Sequence, residues 1–166
     1  MSLLTGWLKP IEHKWLSAHA QHTKRVLEVG SYRGRSTTAL LSAEHVWCVD
    51  LWDTKAVGER DYEAFMRNMK PYMDRITVLR GDSHTVLDGL IRSSAAWFDM
   101  AFVDACHDYR FVYGDILRCK RLVRPGGLLC GHDYNARAWP GVVKAVDELV
   151  PEREFVEGTC LWWTLV

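Results

Sequence analysis

The chain has 166 residues, 48% of them hydrophobic and 25% charged, with 21 Lys and Arg set against 21 Asp and Glu. That zero formal charge excludes the basic surplus that nucleic-acid phosphates and anionic membranes demand, so neither is an expected partner. No apolar run approaches the roughly 20 residues needed to cross a bilayer.

In chain order, residues 6–20 read as a helix with Trp7, Ile11, Trp15 and Leu16 on one face. Arg25–Gly30 (RVLEVG) is a short apolar run closed by glycine, hence a buried strand. Ser36–Ala43 opens on an N-cap residue and continues as a helix, and Val46–Asp50 (VWCVD) is a second buried strand that ends in a carboxylate. A helix over Glu59–Met69 stops before Pro71, and a third strand covers Ile76–Arg80. Val86–Arg92 is a short helix, and Asp99–Asp104 (DMAFVD) is a fourth strand that again ends in Asp. Tyr109–Val123 is amphipathic and is halted by Pro125-Gly126-Gly127, after which Leu128–Gly131 forms a fifth strand running into His132-Asp133-Tyr134. A helix over Val142–Val150 stops at Pro151, and the segments Glu154–Glu157 and Leu161–Val166 pair as a hairpin at the sheet edge.

Strands alternating with helices predict an α/β fold, a mainly parallel sheet with helices on both faces. One domain is expected over residues 1–166, with 1–23 as an N-terminal helical segment and 24–166 as the core. Five cysteines, an odd number without a C-x-x-C pair, read as small buried residues of a reducing compartment. The N-terminus has no basic region leading into an apolar one, so the expected location is cytoplasmic.

In open sheets of this kind ligands bind beyond the carboxyl ends of the strands, where Glu28, Gly30, Asp50, Asp82, Asp104, His132 and Asp133 gather. Gly30 and Gly34 let the loop after the first strand turn sharply and bring backbone close to a ligand. Their G-x-x-x-G spacing is neither the dinucleotide fingerprint nor a P-loop. Asp50, twenty residues beyond Gly30, stands where a carboxylate binds a ribose diol, and Gly81-Asp82-Ser83 stands where an adenine amine would be read.

From about residue 24 to 150 the chain resembles the class I S-adenosylmethionine-dependent methyltransferases. The residues that carry the resemblance are E-V-G-S-Y-R-G-R-S, V-D-L-W-D, R-G-D-S, F-V-D-A-C-H-D-Y and R-P-G-G-L-L-C-G-H-D-Y. Within that class it is most similar to the small-molecule group containing macrolide-sugar O-methyltransferases and cephalosporin-hydroxylase-type proteins. The resemblance implies a Rossmann-like sheet of seven strands with the last antiparallel. It implies an enzyme that methylates a hydroxyl of a small acceptor such as a sugar, working as a monomer or a homo-oligomer. Glu28, Gly30, Ser31, Tyr32 and Gly34 would then shape the methionine end of S-adenosylmethionine, and Ser36 would meet its carboxylate. Asp50 would hold the ribose with Leu51 beside it, Asp82 and Ser83 would face the adenine, and Asp104 would close the site. Trp52 either stacks on the adenine or packs in the core.

Asp104 and Asp133 end neighbouring strands, and oxygen ligands so placed suit Mg²⁺. The resemblance implies both as metal ligands and His107, three residues beyond Asp104, as general base; an imidazole suits the removal of a hydroxyl proton. Where the family places a carboxylate just before the second Asp, this chain has His132. That exchange favours Mn²⁺ or Zn²⁺ with His132 as a third ligand, or leaves no metal at all. Two rivals remain at this level: an NAD-type oxidoreductase on a similar sheet, and a cofactor-binding but catalytically inactive interaction module. Eight tryptophans would supply the latter with an aromatic interface.

Overall fold

A computed structural model of the chain describes residues 4, 6–55, 57–93 and 97–166; of the N-terminal segment, residues 1–3 and 5 lie outside the description. The strands are β1 (Arg25–Val29), β2 (His45–Asp50), β3 (Ile76–Arg80), β4 (Phe98–Val103), β5 (Val123–Gly131), β6 (Glu154–Phe155) and β7 (Trp162–Leu165). The helices are α1 (Pro10–Ala20), α2 (Arg35–Leu40), α3 (Glu59–Met69), α4 (Ser83–Arg92), α5 (Tyr109–Leu122) and α6 (Pro140–Leu149). They build one seven-stranded sheet in the order β3-β2-β1-β4-β5-β7-β6. The first five strands run parallel, and β7 inserts antiparallel between β5 and β6.

The strand sequences alternate, so each strand feeds two cores. Val26, Val46, Cys48, Met100, Phe102, Leu128 and Cys130 point to the side covered by α1, α2 and α3, with Leu16, Leu40, Phe65 and Met69. Leu27, Val29, Val49, Ala101, Val103 and Leu129 point to the other side, against Leu87, Val112, Ile116, Val142 and Val146 of α4, α5 and α6. β1 pairs with both β2 and β4, so the connections leave it in opposite directions and the chain parts at the carboxyl ends of β1 and β4. At that parting Gly30 has φ +99°, and a Cβ there would lie 2.1 Å from the Asp104 carbonyl oxygen. Only glycine fits this approach.

Some boundaries differ from the sequence reading. α1 begins at Pro10 rather than residue 6, because proline suits the first helical position and the Glu12 carboxylate accepts the Lys9 N–H at 2.7 Å. α4 begins at Ser83 because Asp82 caps it, accepting the Thr85 N–H at 2.9 Å. A 3₁₀ turn at Lys70–Arg75 carries α3 into β3. β5 runs straight through Pro125-Gly126-Gly127, which the sequence presents as a turn; its pairing with β4 shifts register between Phe98 and Met100, and that irregularity accommodates the three residues.

Candidate active site

Beyond β1, β2 and β3 the polar side chains are engaged with the protein's own backbone and hydroxyls. Glu28 has no exposed surface; its Oε2 accepts from Ser31 Oγ at 2.7 Å and Thr37 Oγ1 at 2.6 Å. Burial pushes the Glu28 carboxyl above its usual range, against the pull of the hydroxyls around it. Glu28 thus braces the loop from beneath, and Ser36 is buried in the first turn of α2. Asp50 accepts the Tyr32 N–H at 2.8 Å and the Trp52 N–H at 3.0 Å, which ties the loop after β1 to the loop after β2. Gly34 has φ +89° and leaves room for Met69, whose Cε would sit 2.7 Å from an added Cβ. Arg33 is paired with Asp61 at 2.7 Å, and Arg35 donates to the Leu4 carbonyl. Ser83 opens α4 beside the Asp82 cap, and the buried Asp115 of α5 lies 3.6 Å from His84 Nε2.

Trp52 resolves to the packing alternative. It is 1% exposed and lies against Tyr62 and Phe65, with its indole N–H donating to the Tyr32 carbonyl at 2.8 Å. No ring face is open for an adenine. Its neighbour Leu51, 38% exposed, stands at the lip instead. Among the described residues, three of the four non-glycine residues with positive φ are Tyr32, Trp52 and Asp133, all just beyond strand ends on this edge. Backbone in this sparsely occupied region is held by surrounding contacts and concentrates at working sites.

Beyond β4 and β5 the charged groups face one another. Val103 pairs with Gly131, so the loops that follow are neighbours. His107 Nε2 lies 2.8 Å from Asp133 Oδ2. The other carboxylate oxygen of Asp133 is 3.2 Å from His132 Nδ1, and His132 Nε2 is 3.2 Å from Glu12 Oε1 of α1. Asp104 Oδ1 stands 4.0 Å from His132 Nδ1. The Trp139 ring stacks on the His107 imidazole with centroids 4.0 Å apart. The hydroxyls of Tyr109 and Tyr134 donate to Glu148 and Asp147, so both tyrosines are tethered to α6.

The electrostatics follow from this crowding. Burial drives the Asp104 carboxyl up to about 7, although His132 pulls against it. Burial alone would lower His132, but its bonds to Asp133 and Glu12 and the charge of Asp104 carry it up to about 11. The same two imidazoles overcome the burial of Asp133 and hold it well below the carboxylate range. His107 is likewise raised: Asp133 outweighs the cost of burying its charge.

Asp104, His107 and Asp133 each offer one ligand atom, all within 4.8 Å of one another. Two carboxylates and an imidazole fit a borderline divalent cation better than Mg²⁺. The imidazole in this set is His107, whereas the sequence reading named His132, whose two ring nitrogens both face carboxylates.

Glu12 was missed by sequence reasoning, which read α1 only through its aromatic and aliphatic residues. A signal was there: Leu8, Glu12, Leu16 and Ala20 recur every fourth residue, and all four are buried. A carboxylate in a buried apolar stripe needs a partner.

A seven-stranded sheet of this order, with a glycine turn after β1 and a carboxylate ending β2, defines a class I S-adenosylmethionine-dependent methyltransferase. Residues 27–134 match the methyltransferase-domain family, and the chain belongs to it. No curated protein matches the chain. Among solved structures it is similar to an O-methyltransferase from Bacillus cereus in complex with S-adenosylhomocysteine, at 18% identity over 99% of this chain and 84% of that one, with a TM-score of 0.76. The O-methyltransferase TomG from Streptomyces achromogenes, in complex with S-adenosylmethionine, gives 18% identity over 99% and 82% and a TM-score of 0.73. CalS11, a TDP-rhamnose 3′-O-methyltransferase, gives 12% identity over 95% and 81% and a TM-score of 0.72. Among the described residues no helix is long and apolar enough to cross a membrane.

Proposed function

We propose that this methyltransferase methylates a hydroxyl of a small hydroxylated acceptor, such as a sugar, with His107 as general base. The observation that carries the reading is the 2.8 Å bond between His107 Nε2 and Asp133. Asp133 accepts from the Nε2–H, which orients the ring and leaves the Nδ1 lone pair to receive the acceptor's hydroxyl proton. Trp139 against the imidazole fixes the ring plane and gives the acceptor an apolar wall. S-adenosylmethionine supplies the electrophilic methyl; Asp50 and Leu51 at the end of β2, the turn at Gly30–Gly34 with Ser31 and Tyr32, and Asp82 beyond β3 are the groups assigned to hold it. Methyl transfer is an in-line displacement, so alignment of the hydroxyl is what these residues contribute. A sugar acceptor is favoured by the similarity to CalS11. In the metal-assisted form of the reading, Asp104, His107 and Asp133 would hold a divalent cation that lowers the pKa of a bound hydroxyl, and His107 would then be a ligand instead of the base. Five free cysteines suit an enzyme of the cytoplasm.

The test is transfer of labelled methyl from S-adenosylmethionine to a panel of free sugars, nucleotide sugars and catechols, with EDTA or with Mn²⁺. Methylated sugar supports the reading, and retained turnover in EDTA assigns the step to His107 alone. Cofactor binding without transfer to any acceptor would favour the inactive interaction module instead.

A further inference from the structure

His132 stands where the resembling family carries a carboxylate, and it does not stand alone. Its Nδ1 faces Asp133 Oδ1 and its Nε2 faces Glu12 Oε1, each at 3.2 Å. Glu12 comes from α1, outside the segment that matches the methyltransferase domain. The contact is closed to water: Glu12 has no exposed side-chain surface and His132 has 10%. Glu12 cannot wander, because its other oxygen accepts the Lys9 N–H at 2.7 Å and the stripe Leu8, Leu16 and Ala20 packs α1 onto the sheet. A fixed carboxylate 3.2 Å from one nitrogen and Asp133 3.2 Å from the other hold the imidazole in a single orientation. Asp133 is then gripped from two sides, since its remaining oxygen holds His107 at 2.8 Å.

We propose that Glu12 is a positioning residue of the active site: through His132 and Asp133 it sets the orientation of His107, so that the N-terminal helix is a working part of the catalytic apparatus. The proposal rests on His107 as base. The path is Glu12, His132, Asp133, His107, in contacts of 3.2, 3.2 and 2.8 Å. Groups that orient a reacting residue without touching it commonly change activity by about 10–100-fold when removed, and Glu12 would do so through His132 and Asp133. A helix serving only as packing would leave turnover untouched once the protein is folded.

The experiment uses the full chain as native protein, Glu12→Gln, His132→Gln and the double variant. The readouts are kcat, the KM for S-adenosylmethionine, the Kd of S-adenosylhomocysteine by calorimetry, and melting temperature. The expected result is a kcat for Glu12→Gln lower by at least about tenfold, with KM and Kd within about twofold. The double variant should be no slower than His132→Gln, because the two residues lie on one path. Native kcat in folded Glu12→Gln, or losses that multiply in the double variant, overturns the proposal. If Glu12→Gln fails to fold, Glu12→Asp keeps the charge but shortens the arm by one methylene; it should fold and still lose kcat, and a native kcat there is equally fatal. The carbon-bound ring protons of His107 give an NMR readout that needs no acceptor. Their shifts should change in Glu12→Gln if Glu12 sets the orientation of His107 through His132 and Asp133, and unchanged His107 signals overturn the proposal. A native enzyme that methylates nothing but whose His107 signals move in Glu12→Gln would sink the assigned reaction and leave the Glu12–His132 arrangement standing.

Discussion

The two halves of the carboxyl edge handle charge in opposite ways. Beyond β1, β2 and β3, each carboxylate is engaged locally: Glu28 by two hydroxyls, Asp50 by two backbone N–H groups, Asp82 by the helix it caps. Beyond β4 and β5, Asp104, His107, His132, Asp133 and Glu12 meet one another within 4 Å contacts, and their pKa values are driven apart. A half whose side chains fix its own loops offers backbone to a ligand and changes little on binding. A half that forces titratable groups together and sets different proton affinities on them is arranged for proton transfer. On the proposed reading, one half is the seat and the other the chemistry.

The strongest way to break that division is at the seam between the halves. Gly30→Ala would drive a Cβ into the Asp104 carbonyl at a φ of +99°. It should cost about 3 kcal/mol or more and abolish binding of S-adenosylhomocysteine, read by thermal melting and calorimetry. A stable variant with native affinity would mean the seam does not organise the site. Next in size is His107→Ala. Turnover should fall by at least about a hundredfold while S-adenosylhomocysteine affinity moves by less than about twofold. A matching loss in affinity would show that the two halves are not separable.

Asp104→Asn probes the stored electrostatics. The folded-state pKa of Asp104, about 7, lies above the ordinary carboxylate value of 3.8, so the folded protein holds that proton more tightly than the unfolded chain. Native stability therefore declines as pH rises from about 4 to about 7, and the Asn variant lacks this contribution. Urea melts should find the variant more stable than native at pH 8 and no better than native at pH 4. His132 has the same sign in a higher window. Its pKa is raised to about 11, so its stabilisation is complete below about pH 6.5 and is lost as pH climbs towards 11. The smallest effect belongs to Trp52→Phe, which removes the donor to the Tyr32 carbonyl. It should cost about 1–2 kcal/mol of stability and leave S-adenosylhomocysteine affinity unchanged; a tenfold weaker Kd would return Trp52 to the adenine.

The strands were legible because apolar runs ending in Gly or Asp mark strands that stop at one edge, and the antiparallel last strand followed from the family resemblance. The candidate site positions were picked out for the same reason, since Asp104, His107, His132 and Asp133 closely follow apolar runs. What the sequence hid was partnership. Nothing in the V-D-L-W-D run separates a stacking Trp52 from a packing one, because the outcome depends on Tyr62 and Phe65 of a helix that follows. Glu12 lies 120 residues before His132 in the chain, and only the packing of α1 onto the sheet brings them together. β5 was shortened in the reading because Pro-Gly-Gly is a strong local turn signal; the pairing of Leu128–Gly131 with both β4 and β7 overrides it.

The most direct measurement of the central claim is calorimetric titration of the native protein and of Asp50→Ala with S-adenosylhomocysteine, and of the native protein with NAD. One equivalent of S-adenosylhomocysteine should bind the native protein, weaken by at least about tenfold in Asp50→Ala, and find no counterpart in NAD. Binding of NAD, or a native protein that takes up neither nucleoside, would contradict the account.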